Sequence, residues 1–152
     1  MNTKNSKSEL DIFKVDTSSS VELPFVEEGI RAGFPSPAQD YLDLSIDLNH
    51  ELVKHPSTTF YGRVKGDSLI EADIHEGDLL IIDQALEPRK GGLAVSCVDG
   101  EFTLKYINIE QDVVWLIPAN KEFQPIKVTA GNEFIIWGIV TYSIKKHRNT
   151  RR

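Results

Sequence analysis

Short apolar runs broken by glycine or Asx-Gly pairs fill the chain from about residue 58 onward. They predict strands over 58–64, 78–83, 93–98, 101–109, 113–117, 126–129 and 133–144. Asp99-Gly100 separates two of these runs by two residues, a strong hairpin signal, and Gly77, Gly91-Gly92 and Gly131 punctuate the others. Upstream, Leu44, Leu48 and Leu52 with Ile46 and Val53 recur at helical spacing, so short helical turns are expected within 38–55, ended by Pro56. Residues 1–32 scatter Ile12, Phe13, Phe25 and Ile30 among Ser, Lys, Asn and Glu and read as an extended N-terminal arm. The expected class is mainly β: a small barrel-like or sandwich-like core over 33–144, with the arm before it and a short tail, 145–152, after it.

At 152 residues the chain has length for one real core, and 40% hydrophobic with 26% charged residues is ordinary for a globular protein. No apolar run reaches the roughly 18 residues a membrane span needs, and no secretory pattern follows Met1, so a cytoplasmic protein without membrane attachment is expected. Cys97 is the only cysteine and sits in a predicted strand, which excludes an intramolecular disulfide and suggests an inert core thiol. His50, His55, His75 and His147 show no ligand spacing with it, so neither metal nor cofactor is expected. Net charge is −6, yet the last eight residues hold five Lys/Arg and no acid, leaving 12 basic against 23 acidic residues elsewhere. So acidic a body repels phosphates, which argues against direct sequence-specific DNA binding; the tail reads as a solvated terminus.

Against this background two residues carry chemistry. Ser68 follows a break at Gly66-Asp67, just after a β-prone run; Lys105 is a lone amine in Glu101-Phe102-Thr103-Leu104-Lys105-Tyr106-Ile107. Period-two counting puts Thr103, Lys105, Ile107 and Ile109 on one face of that strand. A serine becomes a nucleophile only beside a base, and a desolvated lysine is one of the few side chains that serve. No His-carboxylate arrangement competes for the role. Lys105 would take the Ser68 proton, and backbone N–H groups of Asp67 and Ser68 would face the developing oxyanion. Asp67 itself is expected to stabilise the turn, and Lys65 to face solvent. Ala32-Gly33, small residues ahead of Phe34-Pro35-Ser36-Pro37, form an extended stretch that a peptidase could lay along its active-site edge.

Together these segments resemble the LexA/UmuD family of self-cleaving serine peptidases. The resemblance covers about residues 32–144 and rests on Ala32-Gly33-Phe34-Pro35-Ser36-Pro37-Ala38, Ile46-Asp47-Leu48-Asn49, His55-Pro56-Ser57, Gly66-Asp67-Ser68, Gly77-Asp78-Leu79-Leu80-Ile81, Val98-Asp99-Gly100-Glu101-Phe102-Thr103 and Leu104-Lys105. The separations of 35 residues from Gly33 to Ser68 and 37 from Ser68 to Lys105 also look like the family's. The resemblance implies Ser68 as nucleophile, Lys105 as general base and Ala32-Gly33 as the scissile bond. It further implies a homodimer that cleaves its own arm when a RecA filament on single-stranded DNA stimulates it, then joins a UmuC-like Y-family translesion polymerase in the response to DNA damage. Two departures stand out: Leu69 replaces the family's usual Met, and the arm is longer than expected. Rival readings are a LexA-type or phage-repressor-derived peptidase module, for which the polar arm offers no helix-turn-helix, and a non-catalytic polymerase accessory subunit.

Overall fold

The computed structural model describes residues 9–18, 22–24 and 45–147. In chain order the elements are β1 (Leu10–Lys14), β2 (Glu22–Pro24), β3 (Ser45–Asp47), α1 (Leu48–Leu52), β4 (Thr59–Val64), β5 (Leu79–Asp83), β6 (Leu93–Val98), β7 (Glu101–Glu110), β8 (Val113–Ile117), β9 (Ile126–Val128) and β10 (Phe134–Ile144). The chain divides into two units, Asp16–Pro56 and Met1–Val15 with Ser57–Arg152. In the smaller unit β2 pairs antiparallel with β3, and α1 follows directly. Asp47 caps that helix by accepting a hydrogen bond from the Asn49 N–H at 3.1 Å. The helical reading of 38–55 thus holds for 48–52; residues 38–44 lie outside the described residues.

The larger unit is one antiparallel sheet in the order β1-β4-β5-β10-β6-β7-β8-β9, so the mainly β expectation is met. Its β6–β7 hairpin turns at Asp99 and Gly100, with φ of 49° and 85°; both central residues are left-handed, the signature of the type I′ turn that Asp-Gly favours. That turn aligns Lys105 with Ala94 and Thr103 with Ser96 across the ladder. Register breaks at Ile136/Gly138 and Val140/Tyr142 bend β10, letting one strand pair with both β5 and β6.

Leu10–Lys14, within the segment read as an arm, is a strand of this sheet. It pairs with β4 in the register Leu10 to Val64 through Lys14 to Phe60. Just ahead of it, the Glu9 N–H donates to the Phe102 carbonyl of β7 at 3.0 Å, while the Glu9 carbonyl accepts from the Lys65 N–H at 2.7 Å. Residue 9 therefore bridges the end of β4 and the start of β7, and the sheet curls round to meet itself. One apolar cluster gathers Leu10, Val64, Leu69, Ile74, Leu80, Ile82, Val95 and Leu104; a second holds Ala94, Ile107 and Leu116. Strand β7 has both faces covered at its centre, burying Leu104, Lys105 and Ile107 alike. Ile109, expected to share that shelter, is exposed because it lies near the strand's far end.

Candidate active site

Strand β4 stops at Val64, and the chain turns through Gly66, whose φ of +83° is easy only for glycine. The Gly66 N–H donates to the Glu76 carboxylate at 3.0 Å. Beyond it, the turn is fastened to the segment after β8. The Asn120 side-chain amide donates to the Asp67 carbonyl at 2.7 Å, and the Ala119 N–H donates to the Ser68 carbonyl at 2.8 Å. The Ala119 carbonyl in turn accepts from the Glu71 N–H at 2.7 Å. Leu69, buried in the first apolar cluster, anchors the other side of Ser68. Ser68 thus has its backbone held from both directions, and only its hydroxyl is left to rotate. Asp67 is exposed and serves through its carbonyl. Lys65 is exposed as well and pairs with Asp11 at 3.0 Å.

Lys105 comes from the centre of β7. Ser68 and Lys105 are 5% and 4% exposed, and the lysine Nζ donates to the serine Oγ at 3.3 Å. These two predicted residues are brought together. Nζ also donates to the Thr103 hydroxyl at 2.8 Å and to the carboxylate of Glu9. Glu9 accepts further hydrogen bonds from the Thr103 hydroxyl at 2.6 Å and the Leu104 N–H at 2.9 Å. Burial by itself raises the Glu9 carboxyl; the adjacent Lys105 charge, with the hydrogen bonds from Lys105, Thr103 and Leu104, outweighs it and holds the group below the usual carboxylate range.

The other expectations fall as follows. Ala32 and Gly33 lie outside the described residues; by sequence they belong to the connection between β2 and β3. Cys97 is on β6 as expected but is only half-buried. Among the described residues no three His, Cys, Asp or Glu side chains gather as metal ligands, and no helix is long and apolar enough to cross a membrane. Lys145, the first residue of the basic tail, is anchored: its Nζ donates to the buried Asp78 carboxylate at 2.7 Å. Sequence reasoning did not single out Glu9, Thr103 or Asn120 for the site. Thr103 was within reach, since it lies two residues from Lys105 on the same face. Glu9 and Asn120 carry no local signal, because each reaches the site only through pairing with distant chain.

A buried serine in contact with a buried lysine on an antiparallel β scaffold, with no histidine bonded to either among the described residues, is an arrangement that serine-peptidase chemistry can use. The chain belongs to the Peptidase S24-like family, whose pattern matches residues 24–141. It is 39% identical over 140 residues to Protein MucA of Salmonella typhimurium, spanning 91% of this chain and 95% of that one. To Protein SamA of Salmonella typhimurium strain LT2 it is 38% identical over 127 residues, 84% of this chain and 88% of its relative. To the LexA repressor of Alcanivorax borkumensis it is 34% identical over 118 residues, which is 78% of this chain and 56% of the repressor. MucA and SamA are UmuD-family proteins, and the chain is an S24 peptidase-like protein of the SOS-mutagenesis kind.

Proposed function

We propose that the chain cleaves itself between Ala32 and Gly33, with Ser68 as nucleophile and Lys105 as general base. The observation that carries this reading is the 3.3 Å contact between the Lys105 amine and the Ser68 hydroxyl, both buried. Neutral Lys105 takes the Ser68 proton as Oγ attacks the Ala32 carbonyl, and N–H groups of the Asp67-Ser68 turn face the oxyanion. The lysine, now an ammonium, protonates the leaving Gly33 amine; water then hydrolyses the Ser68 ester and releases the Ala32 carboxylate. A RecA filament on single-stranded DNA stimulates the cut by favouring the competent state of the arm, and the shortened homodimer joins a UmuC-like Y-family polymerase in the cytoplasm. Similarity to MucA and SamA along nearly their whole length supports this reading over a repressor module, of which the chain spans about half.

The test incubates purified protein at alkaline pH, and separately with RecA, single-stranded DNA and a nucleoside triphosphate, then takes the intact mass. A new species beginning at Gly33, absent from Ser68→Ala and Lys105→Ala, is expected. A chain that stays intact under both conditions refutes self-cleavage, and loss of the arm in purified Lys105→Ala refutes the role of the lysine.

A further inference from the structure

We infer that Glu9 is a latch: while β1 is docked, its carboxylate holds Lys105 as the ammonium and keeps Ser68 idle. The inference rests on the peptidase reading above and adds how the same site is controlled. An ammonium has three protons, and the structure supplies three acceptors: the Glu9 carboxylate, the Ser68 hydroxyl and the Thr103 hydroxyl. A general base must be free to accept the serine proton, and an amine held against a carboxylate keeps its own.

Among the described residues, Glu9 supplies the one carboxylate hydrogen-bonded or ion-paired to Lys105. Across the ladder on β6 stands Ala94, on β7 the neighbour is the neutral Thr103, and on the turn after β4 it is Ser68. Lys65, just after β4, and Asp11 on β1 pair with each other, and Asp67 beside Ser68 is exposed. Glu9 does not reach the lysine from a loose surface position. Its backbone is bonded to Phe102 and Lys65 on either side, and its carboxylate is held by Thr103 and Leu104 as well as by Lys105. The depressed Glu9 carboxyl fits the same arrangement, since the group stays charged throughout the neutral range. Opposite charges in contact and away from water favour both ionised forms. Withdrawal of β1 removes the carboxylate and two of the fastenings of the β4 and β7 ends in one movement.

Glu9→Gln keeps the shape and the ability to accept from Thr103 and Leu104 while removing the charge. Two measurements test it. The first follows self-cleavage by intact mass from neutral to strongly alkaline pH in the unaltered chain and in Glu9→Gln. The variant is expected to cleave at least about tenfold faster at neutral pH, with the two rates converging at strongly alkaline pH. Matching profiles overturn the latch. So does slower cleavage in the variant at every pH, which would make Glu9 an orienting partner of the base.

The second measurement places Ser68→Ala beneath both chains, so that neither is cut, and follows the Lys105 Nζ resonance of 15N-lysine-labelled protein against pH. Loss of the Nζ proton is expected at lower pH in Glu9→Gln; equal midpoints overturn the latch whatever the cleavage data show. Absence of cleavage in every protein at every pH, with RecA and single-stranded DNA or without, refutes the peptidase reading instead. A shifted midpoint in that case still supports the hold of Glu9 on the Lys105 proton.

Discussion

Leu10→Ala separates release of β1 from unfolding of the core. Leu10 is 3% exposed and belongs to the cluster formed by Val64, Leu69, Leu80 and Leu104. Truncating a buried leucine to alanine costs ~2–5 kcal/mol, and the low end, ~2–3 kcal/mol, suits a five-residue strand near the chain terminus that can relax around the gap. If β1 detaches as a unit, the whole of that cost enters its opening equilibrium. At tenfold for every ~1.4 kcal/mol, the open population rises roughly 30- to 150-fold. Two amides report the opening directly: Lys65 N–H, bonded to the Glu9 carbonyl, and Leu104 N–H, bonded to the Glu9 carboxylate. Two neighbours serve as controls because their acceptors are not on β1: Val64 N–H on the Asp78 carbonyl and Ala119 N–H on the Ser68 carbonyl.

Hydrogen exchange by NMR on Leu10→Ala is therefore expected to accelerate Lys65 and Leu104 by that factor, leaving Val64 and Ala119 much less changed. In a Ser68-intact background, self-cleavage at neutral pH should rise alongside. Equal acceleration of all four amides would show that β1 opens only when the whole sheet does. A latch that opens only on global unfolding controls nothing, so that result refutes the reasoning.

Acid should also loosen β1. Because the folded-state Glu9 carboxyl is depressed, its contribution to docking is complete above the ordinary carboxylate range and is lost as pH falls through the folded value. Exchange at Leu104 should accelerate in that acid window in the unaltered chain and lose the dependence in Glu9→Gln; the same dependence in both would refute it. Asn120→Ala removes the 2.7 Å donor to the Asp67 carbonyl, at a cost of about 0.5–1.5 kcal/mol, so self-cleavage slower by about two- to tenfold is expected with little change in the pH profile. Gly138→Ala would put a Cβ 2.6 Å from the Cγ2 of Ile82, which is fully buried, so overpacking of ~1–3 kcal/mol should lower the melting temperature measured by circular dichroism.

Strands with enough alternation to bury one side were legible one by one: β6 and β8 occupy the predicted 93–98 and 113–117, and β4, β5, β7, β9 and β10 differ by a residue or so at their ends. The pairing between distant strands was not. Strand β1 reads Leu-Asp-Ile-Phe-Lys, with only Leu10 fully buried, and such a stretch gains its strand character from the β4 edge beside it. Ser68 and Lys105 were legible because a hydroxyl behind a Gly-Asp turn and a single amine in an apolar strand are each locally odd. Glu9 is 96 residues from Lys105 in the chain, and one acid among the 23 Asp and Glu residues of the sequence carries no mark of its destination.

Cutting the arm and losing it are separate events in this fold. On the proposed cleavage at Ala32-Gly33, β1 and β2 stay with the departing fragment, and what joined them to the rest was a five-residue ladder on β4, a three-residue ladder on β3, the buried Leu10 and the bonds of Glu9, none of it covalent. Before the cut, the tether keeps β1 at an effective concentration on the order of millimolar; after it, redocking is bimolecular. At ~1 µM protein, rebinding weakens by about a thousandfold. Native mass spectrometry at low micromolar concentration should therefore show the core without its fragment, even though denaturing spectra show both pieces. A synthetic peptide spanning residues 1–18, added at about millimolar concentration, should rebind, protect the Lys65 and Leu104 amides, and do so less well with Gln at position 9. Retention of the fragment on dilution to nanomolar would refute this account. It would mean that contacts beyond the β1 ladder and Glu9 hold the arm, and that relief of the latch requires displacement rather than cleavage alone.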